Sequence, residues 1–334
     1  MNNILIITGA SGHVGKTIIQ LLRSSNLEIR ALVHANHPEC VDTDRIKYFR
    51  GDISKLEDIE PMFLNTKGRD VSVIHSAAYI DISAKKLTEK LRAVNVTGTM
   101  NTIKLSKKYG VKKFVFVSSV DAFLPQNKLV GSLDKLCTEE DNGGYSISKA
   151  LSTKMVREEI AKDDFPGVIV YPSAIIGPND IGRNHMIQLI TDYLDKKIPA
   201  VIQGGYDIVD VRDVSKGIID SLECPNGSEL FLTGKFYTLK EYIDTIRKLS
   251  QKGRKLVALP IWAAKLGLPF LQLAAKIKRT PPLYTSFSLS TIKYANKFDI
   301  KSTQKLIDYK PRDLTSSLKD TLRYLELHYF NTPK

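Results

Sequence analysis

Cysteine, tryptophan and unbroken apolar runs are all scarce in this chain of 334 residues, which carries three cysteines and one tryptophan. Cys40, Cys137 and Cys224 are odd in number and far apart. That argues against a disulfide framework and for a reducing compartment, so the expected location is cytoplasmic. The first residues pass from Met-Asn-Asn directly into Ile4-Leu5-Ile6-Ile7, with no basic leader and no cleavage site, and nothing in them suggests export. The one long apolar stretch, Leu256 to Ala275, is interrupted by Pro260, Lys265, Gly267 and Pro269, so no membrane-spanning segment is expected. Two uses remain for it: lying on a membrane surface, with Lys276, Lys278 and Arg279 following, or roofing an apolar pocket. The roof is the expectation. His34, His37 and Cys40 are close enough for metal ligands, but no second ligand pair answers them, and the expectation is a surface turn without metal. The net charge of +13 is spread along the chain, as at Lys107-Lys108, Lys112-Lys113 and Lys196-Lys197. With no zinc-finger spacing, stacking platform or basic arm, it indicates no specific nucleic-acid partner but a surface suited to an anionic cofactor.

What is present is alternation. Short apolar runs at 4–8, 29–33, 46–49, 71–75, 114–118 and 168–171 alternate with amphipathic stretches such as 15–23, 56–63, 87–109 and 146–161. Runs without period-2 polarity suit strands buried on both faces, and regular β-α order implies a parallel sheet. The fold class expected is α/β, a doubly wound (Rossmann) sheet over residues 1–172 that binds a dinucleotide. After Pro172 the pattern loosens, and 173–334 reads as a smaller substrate-side lobe interleaved with the last strands. A strand at 229–233 and a helix at 239–249 look like sheet extension, and a final helix at 314–327 packs back on the body.

The first strand runs into Thr8-Gly9-Ala10-Ser11-Gly12-His13-Val14-Gly15 and then a helix. Gly9 permits the tight turn, Gly12 lets backbone approach a pyrophosphate, and Gly15 allows close helix–strand packing. The cofactor-binding set therefore starts with Gly9, Ser11, Gly12, His13, Val14 and Gly15, with the helix N-terminus facing the phosphates. An acidic residue at the end of the second strand would repel a 2′-phosphate, but Val33 stands there, with Arg30 and His34 as the nearby cations. That favours NADP, with NAD as the alternative. Asp52 and Ile53 follow the third strand, where the carboxylate either meets the adenine amino group or caps the next helix. Ser76, Ala77 and Ala78 follow the fourth, and small residues there let backbone pass beside the cofactor.

Carbonyl reduction needs a hydride and a proton donor at the forming alkoxide. Tyr145-Ser146-Ile147-Ser148-Lys149 places a phenol and an ammonium at i and i+4 on one helical face, where the cation lowers the phenol pKa. Gly143-Gly144 give a flexible approach to that helix. The strand 114–117 ends in Ser118-Ser119 at the carboxyl edge where open α/β sheets bind ligands. A hydroxyl there can hold the substrate oxygen. Asp121 reads either as a second acid/base or as a cap.

At this point the chain resembles the extended short-chain dehydrogenase/reductases, also called the NAD-dependent epimerase/dehydratase family. The resemblance rests on T-G-A-S-G-H-V-G at 8–15, G-D-I at 51–53, H-S-A-A at 75–78, N-V-T-G-T at 95–99, F-V-F-V-S-S at 114–119, Y-S-I-S-K at 145–149, Y-P-S-A-I-I-G-P-N-D at 171–180 and V-D-V-R-D-V at 209–214. It implies Tyr145 as acid/base, Lys149 as the residue that binds the nicotinamide ribose and lowers the tyrosine pKa, and Ser119 as the catalytic hydroxyl. It further implies a structural Asn95, a segment Tyr171-Pro172-Ser173 passing the nicotinamide with Tyr171 in place of a commoner arginine, and a homodimer through 87–109 and 146–161.

Val120-Asp121-Ala122-Phe123 after the serines looks more like the hydroxysteroid dehydrogenase and dihydroflavonol reductase branches than the sugar-nucleotide epimerases. Gly204 to Ile208 lacks the arginine with which the sugar-nucleotide branch clamps a diphosphate. Trp262, Phe270, Leu283, Tyr284 and Phe287 suit an apolar small-molecule substrate, while ordinary core is the competing use for each. The leading expectation is an NAD(P)-dependent oxidoreductase acting on a ketone or aldehyde of mostly apolar structure. The alternatives are a nucleotide-sugar epimerase/dehydratase and, in another class, an NADP-sensing regulatory protein.

Overall fold

Ile4 and Ile6 of the first strand pack into one apolar cluster, while Leu5 and Ile7 pack into another. The same division recurs at Phe114 and Phe116 against Val115 and Val117, and at Ile169 and Tyr171 against Val168 and Val170. Alternate side chains thus feed two cores on opposite faces of one sheet, which is why these segments carry no polar alternation. The computed structural model describes residues 3–34, 40–141, 143–163, 165–180, 184–263, 292, 294 and 296–330.

The chain opens with β1 (Asn3–Thr8), α1 (His13–Leu21), β2 (Glu28–Val33), β3 (Ile46–Arg50), α2 (Leu56–Ile59) and β4 (Asp70–His75). Then come α3 (Glu89–Leu91), α4 (Gly98–Lys108), β5 (Lys113–Val117), β6 (Leu129–Val130), α5 (Gly144–Asp163) and β7 (Gly167–Pro172). Next are β8 (Ala174–Ile176), α6 (His185–Leu194), β9 (Val201–Ile202), β10 (Gly205–Asp210), α7 (Val211–Asp220), β11 (Glu229–Leu232) and β12 (Lys235–Thr238). The last described elements are α8 (Leu239–Ser250), β13 (Ala258–Leu259), β14 (Lys297–Phe298), α9 (Ile300–Leu306) and α10 (Leu314–Leu325).

Seven strands form a parallel sheet in the order β11-β7-β5-β4-β1-β2-β3. The direction of winding reverses between β1 and β4, which opens the crevice where such sheets take ligands, at the carboxyl ends of the strands. The expected doubly wound sheet is therefore present.

Two elements differ from the sequence pattern. The helix at α8 does not extend the sheet. Leu239, Tyr242, Ile243 and Ile246 join a third apolar cluster with Ile187 and Ile190 of α6 and Leu318 and Leu322 of α10. A three-stranded sheet, β12-β10-β8, accompanies it, so this lobe has its own core. The stretch 87–109 is not one α-helix either. A π-helical turn at Arg92–Thr97 separates α3 from α4. The wider turn leaves the Asn95 carbonyl accepting the hydroxyls of Thr99 and Ser152. Such turns often mark functional positions.

Candidate active site

Gly9 takes a left-handed φ of 73°, and a Cβ on it would lie 2.7 Å from the Ala77 backbone. The first turn therefore fits against the end of β4 only with glycine. Gly15 meets the same limit from the other side, since its Cβ would stand 2.3 Å from the Gly9 carbonyl oxygen. Gly12 is different: its Cβ would meet only the Gly9 oxygen, at 3.2 Å. It caps α1 with no side-chain hydrogen bond, and the first turn of α1 holds no acidic residue. An uncapped helix N-terminus beside a glycine turn suits an anion, and the residues present fit a dinucleotide pyrophosphate. Ser11, Val14 and the His13 backbone line this turn. The His13 ring does not face it: it bonds the Pro178 carbonyl at 2.8 Å and meets the Asn184 amide at 3.3 Å. Burial pushes that imidazole below its ordinary value.

Arg30, expected to meet the adenosine, is a correction. Its guanidinium bonds the Glu28 carboxylate and the carbonyls of Met62 and Leu64, at 2.6–2.8 Å, and it is 7% exposed. Strand alternation sends it away from the crevice, so it is not available to a 2′-phosphate. His34 is exposed at the end of β2, and Arg50, also exposed, stands beside Val33 in the β2–β3 register. The Asp52 carboxylate takes the N–H and hydroxyl of Ser54, which hold it below the usual carboxylate range, with His34 adding to the effect. It braces its own loop, and α2 begins at Leu56, after a Lys55 that provides no side-chain cap. Ile53 is buried against Gly98. The Ser76 hydroxyl donates to the Thr8 carbonyl and the Ala77 N–H to the Thr8 hydroxyl, which draws the ends of β1 and β4 together with half-buried Ala78 beside them.

His75, which opens the H-S-A-A motif at the end of the fourth strand, lies under this junction. Its ring is fully buried, stacked on Phe114 and Phe116, with Thr8 Oγ1 at 2.8 Å on Nδ1 and Thr99 Oγ1 at 3.0 Å on Nε2. Thr99 donates to the Asn95 carbonyl, so Nε2 carries the proton and Nδ1 accepts from Thr8. Asn95 continues the chain: its amide brackets Tyr79 and donates to Ser148, whose hydroxyl reaches the Tyr145 carbonyl. Polar contacts thus run from the end of β1 to the helix that bears Tyr145. The available sequence signal was a histidine directly after the apolar pair Val73-Ile74 at the carboxyl end of β4.

The structure brings Ser119, Tyr145 and Lys149 to the carboxyl edge of β5. Gly143 and Gly144 are not a flexible approach. Their N–H groups bond the carbonyls of Lys85 and Ala84, and a Cβ on Gly144 would stand 2.2 Å from the Lys86 oxygen. Close backbone contact requires glycine at 144, and a positive φ of 107° requires it at 143. The Tyr145 phenol, 8% exposed, faces the Ser119 hydroxyl. Burial first and the Asp121 carboxylate second hold it above the usual tyrosine value, while Ser119 works the other way. Lys149 does not act on it in this arrangement. Its ammonium donates to the Val117 carbonyl at 2.8 Å, lies 5.3 Å from the centre of the Phe116 ring, and is pushed down to about 7 by burial. Ser118 turns inward to Thr153.

Asp121 joins the group from the turn at Val120–Ala122. Its N–H donates to Ser119 Oγ at 3.1 Å, and its Oδ2 lies 3.3 Å from the same hydroxyl. The residue is exposed, yet surrounding protein raises its carboxyl above the ordinary value, which describes a recess open to water. Tyr171 is a second correction. Its ring is fully buried between Phe123 and Phe231, and its hydroxyl donates to Glu229 beside Arg157, on the face away from the crevice. Pro172 is buried behind it, and Ser173 faces Asp207. His37, Phe270, Leu283, Tyr284 and Phe287 lie outside the described residues. Among the described residues no group of three His, Cys, Asp or Glu side chains could hold a metal, and no helix is long and apolar enough to cross a membrane.

Comparison with known proteins bears on this geometry. The model of the NAD dependent epimerase/dehydratase family matches residues 5–230. A dihydroflavonol 4-reductase-like protein of Synechocystis is 28% identical over 232 residues, 65% of this chain and 62% of that protein. The decarboxylating sterol-4-alpha-carboxylate 3-dehydrogenase of Candida albicans is 24% identical over 348 residues, 96% of this chain and 97% of that one. UDP-glucose 4-epimerase of Vibrio cholerae is 26% identical over 277 residues, 78% of this chain and 80% of its own. Among solved structures, that of gox2253 superposes with a TM-score of 0.83 at 24% identity, covering 98% of this chain and 99% of the other.

Proposed function

The chain belongs to the NAD-dependent epimerase/dehydratase family of extended short-chain oxidoreductases, and from that premise we propose that it is an NADP(H)-dependent reductase of a ketone or aldehyde on a mostly apolar small molecule. The observation that carries the proposal is the Ser119–Tyr145 pair at the carboxyl edge of β5, beside a phenol environment that keeps the proton on. In reduction the phenol must arrive protonated, and both burial and the Asp121 charge favour that state. The Ser119 hydroxyl holds the substrate oxygen for Tyr145. The nicotinamide, when bound, supplies the hydride. Lys149 would hold its ribose, the turn from Gly9 to Gly15 its pyrophosphate, and Ile53 with the Asp52 loop its adenine. With Arg30 withdrawn, Arg50 and His34 are the cations that favour a 2′-phosphate.

The substrate reading is supported by β10, where Tyr206 and Asp207 pair with Tyr237 and Phe236 of β12. No arginine stands between Gly204 and Ile208 to clamp a diphosphate. Relatives bearing reductase and sterol dehydrogenase names agree with this reading, while those named UDP-glucose 4-epimerase supply the alternative. The test is a panel of ketones and aldehydes followed by NADPH absorbance, with UDP-sugars followed by chromatography of the sugar because epimerisation consumes no net NADPH. The expected result is ketone reduction that falls by about 10²–10⁴-fold in Tyr145→Phe. Turnover of UDP-sugars alone, or an unimpaired Tyr145→Phe, overturns the reading. NADPH binding more tightly than NADH supports the cofactor assignment, and equal binding removes it.

A further inference from the structure

His13 takes part in the phosphate turn with its backbone and in the lobe with its ring. It is the first residue of α1, so its N–H has no partner within the helix and is available to an anion at the turn. Its imidazole points the other way, with Nε2 2.8 Å from the Pro178 carbonyl oxygen and Nδ1 3.3 Å from the Asn184 amide nitrogen. The side chain is 9% exposed.

The surrounding bonds fix where the protons lie. The Pro178 carbonyl can only accept, so Nε2 carries the hydrogen and Nδ1 is bare. Asn184 Oδ1 takes the N–H groups of Met186 and Ile187 at 2.9 and 3.1 Å, so its amide nitrogen is the end that faces His13. That nitrogen has two hydrogens, one for the Ile175 carbonyl at 3.0 Å and one for His13 Nδ1. The neutral ring therefore matches its surroundings at both nitrogens. Burial keeps it neutral against the pull of the Asp180 and Asp210 carboxylates.

Asn184 is the N-cap of α6, and Met186, Ile187 and Ile190 of that helix belong to the lobe core shared with α8 and α10. Ile175 lies in β8, the strand that pairs with β10. One amide thus ties the start of α1 to the first turn of α6 and to β8. Asn179 also reaches α1, at Gln20, but that bond is exposed. The His13 contact is buried, and losing it leaves the Pro178 carbonyl and the Asn184 amide short of a partner.

We infer that His13 is a positioning residue that couples occupancy of the phosphate turn to the order of α6, so that a dinucleotide bound at Gly9–Gly15 holds the substrate-side lobe through the His13–Asn184 bond. An anion that takes the His13 N–H fixes the backbone from which the ring projects, and a fixed ring holds Asn184 in its capping position. By reciprocity, the dinucleotide binds more weakly whenever the start of α6 opens. This inference rests on the dinucleotide reading of the turn and is independent of the ketone reading.

The test measures hydrogen exchange of the α6 amides in the full chain by mass spectrometry, alone and saturated with NADPH or NADH, beside a fluorescence titration of each dinucleotide. In the wild type the dinucleotide is expected to slow exchange over 185–194 by about tenfold, within the usual range of coupling between two sites. His13→Phe fills a similar space and keeps the N–H. It should still bind the dinucleotide, yet the slowing should fall below about twofold. His13→Gln, whose amide can donate to Pro178 and accept from Asn184, should recover part of it. Asn184→Ser keeps a capping hydroxyl but removes the amide, and it should lose the slowing as His13→Phe does, which covers a His13→Phe chain that does not fold. A structural role alone would speed α6 exchange equally in the free and bound states and leave their ratio as in the wild type, and that outcome overturns the inference. So does a wild type that binds the dinucleotide without slowing α6. If neither dinucleotide binds the wild type, the reading of the turn falls and takes the inference with it.

Discussion

His75 is a neutral imidazole by necessity. Its two nitrogens are spoken for by Thr8 and Thr99, it is fully buried, and desolvation first and the Lys149 charge second push it down to about 3. The unfolded chain binds a proton on this residue near pH 6.5, so the folded state forgoes protonation over the interval between. The stability this linkage contributes is complete above about pH 6.5 and is lost as pH falls towards 3, at roughly 1.4 kcal/mol per unit. At about pH 4.5 the wild type should therefore be some 2–3 kcal/mol less stable from this residue alone. Urea midpoints at neutral pH and at about pH 4.5 measure the loss, which His75→Gln is expected to abolish. An equal loss in the variant would assign it to other groups. Residue orientation is also where the sequence pattern misled. Arg30 and Tyr171 read as cofactor neighbours by their positions in the motifs, but each lies on the strand face turned to Leu32 and Ile169 respectively, inside the core.

The contact between α1 and the β1 turn is set by what glycine lacks. At Gly15 an added methyl would stand 2.3 Å from the Gly9 carbonyl oxygen and 2.8 Å from the Ala10 Cα, both backbone atoms that cannot move aside alone. Gly15→Ala should push the N-terminus of α1 off the turn, at a cost of about 1–3 kcal/mol in stability. NADPH affinity should fall with it, since the N–H groups proposed to face the phosphates move with the helix. Thermal unfolding with and without NADPH measures both, and a variant with wild-type values in each would show that the turn tolerates displacement. The glycine spacing, the strand positions and the serine pair at the end of β5 were legible because each follows from local rules: turn geometry, period and the carboxyl-edge rule. The π-helical turn at Arg92–Thr97 was not, since it arises from hydroxyls of α4 and α5 gathering on one carbonyl.

Across the whole molecule, a few charged groups fasten the lobe to the sheet. Asp210, with no side-chain exposure, caps α7 through the Arg212 N–H and is gripped by the Arg212 guanidinium at 2.8–2.9 Å. Burial alone would raise its carboxyl, but Arg212 holds it below the usual range. The same guanidinium reaches Asp320 on α10 at 2.7 Å, and Arg312 grips Asp213. Arg212→Leu should leave Asp210 buried without its cation and cost about 3–5 kcal/mol, read as a fall in the calorimetric Tm. Asp210→Asn with Arg212→Leu should recover part of it, and failure of the double variant to do so would place the cost elsewhere. Further along, β14 pairs with β6 and Asn296 accepts from the Gln126 N–H, so the C-terminal chain also grips the loop that follows Asp121.

Local chemistry determined the fold class and the two ends of the site. Apolar runs of strand length can be buried on both faces only in a layered sheet, and a glycine turn before an uncapped helix offers the same N–H groups in any fold. What the tertiary structure alone decided was direction and company. It sent Arg30, Tyr171 and the His13 ring away from the crevice, put Arg50 beside Val33, and placed Lys149 on the Val117 carbonyl instead of the phenol. It also drew Asp121 to Ser119. Those outcomes depend on which strand face meets which core and on contacts between segments far apart in the chain, and no spacing along the chain encodes them.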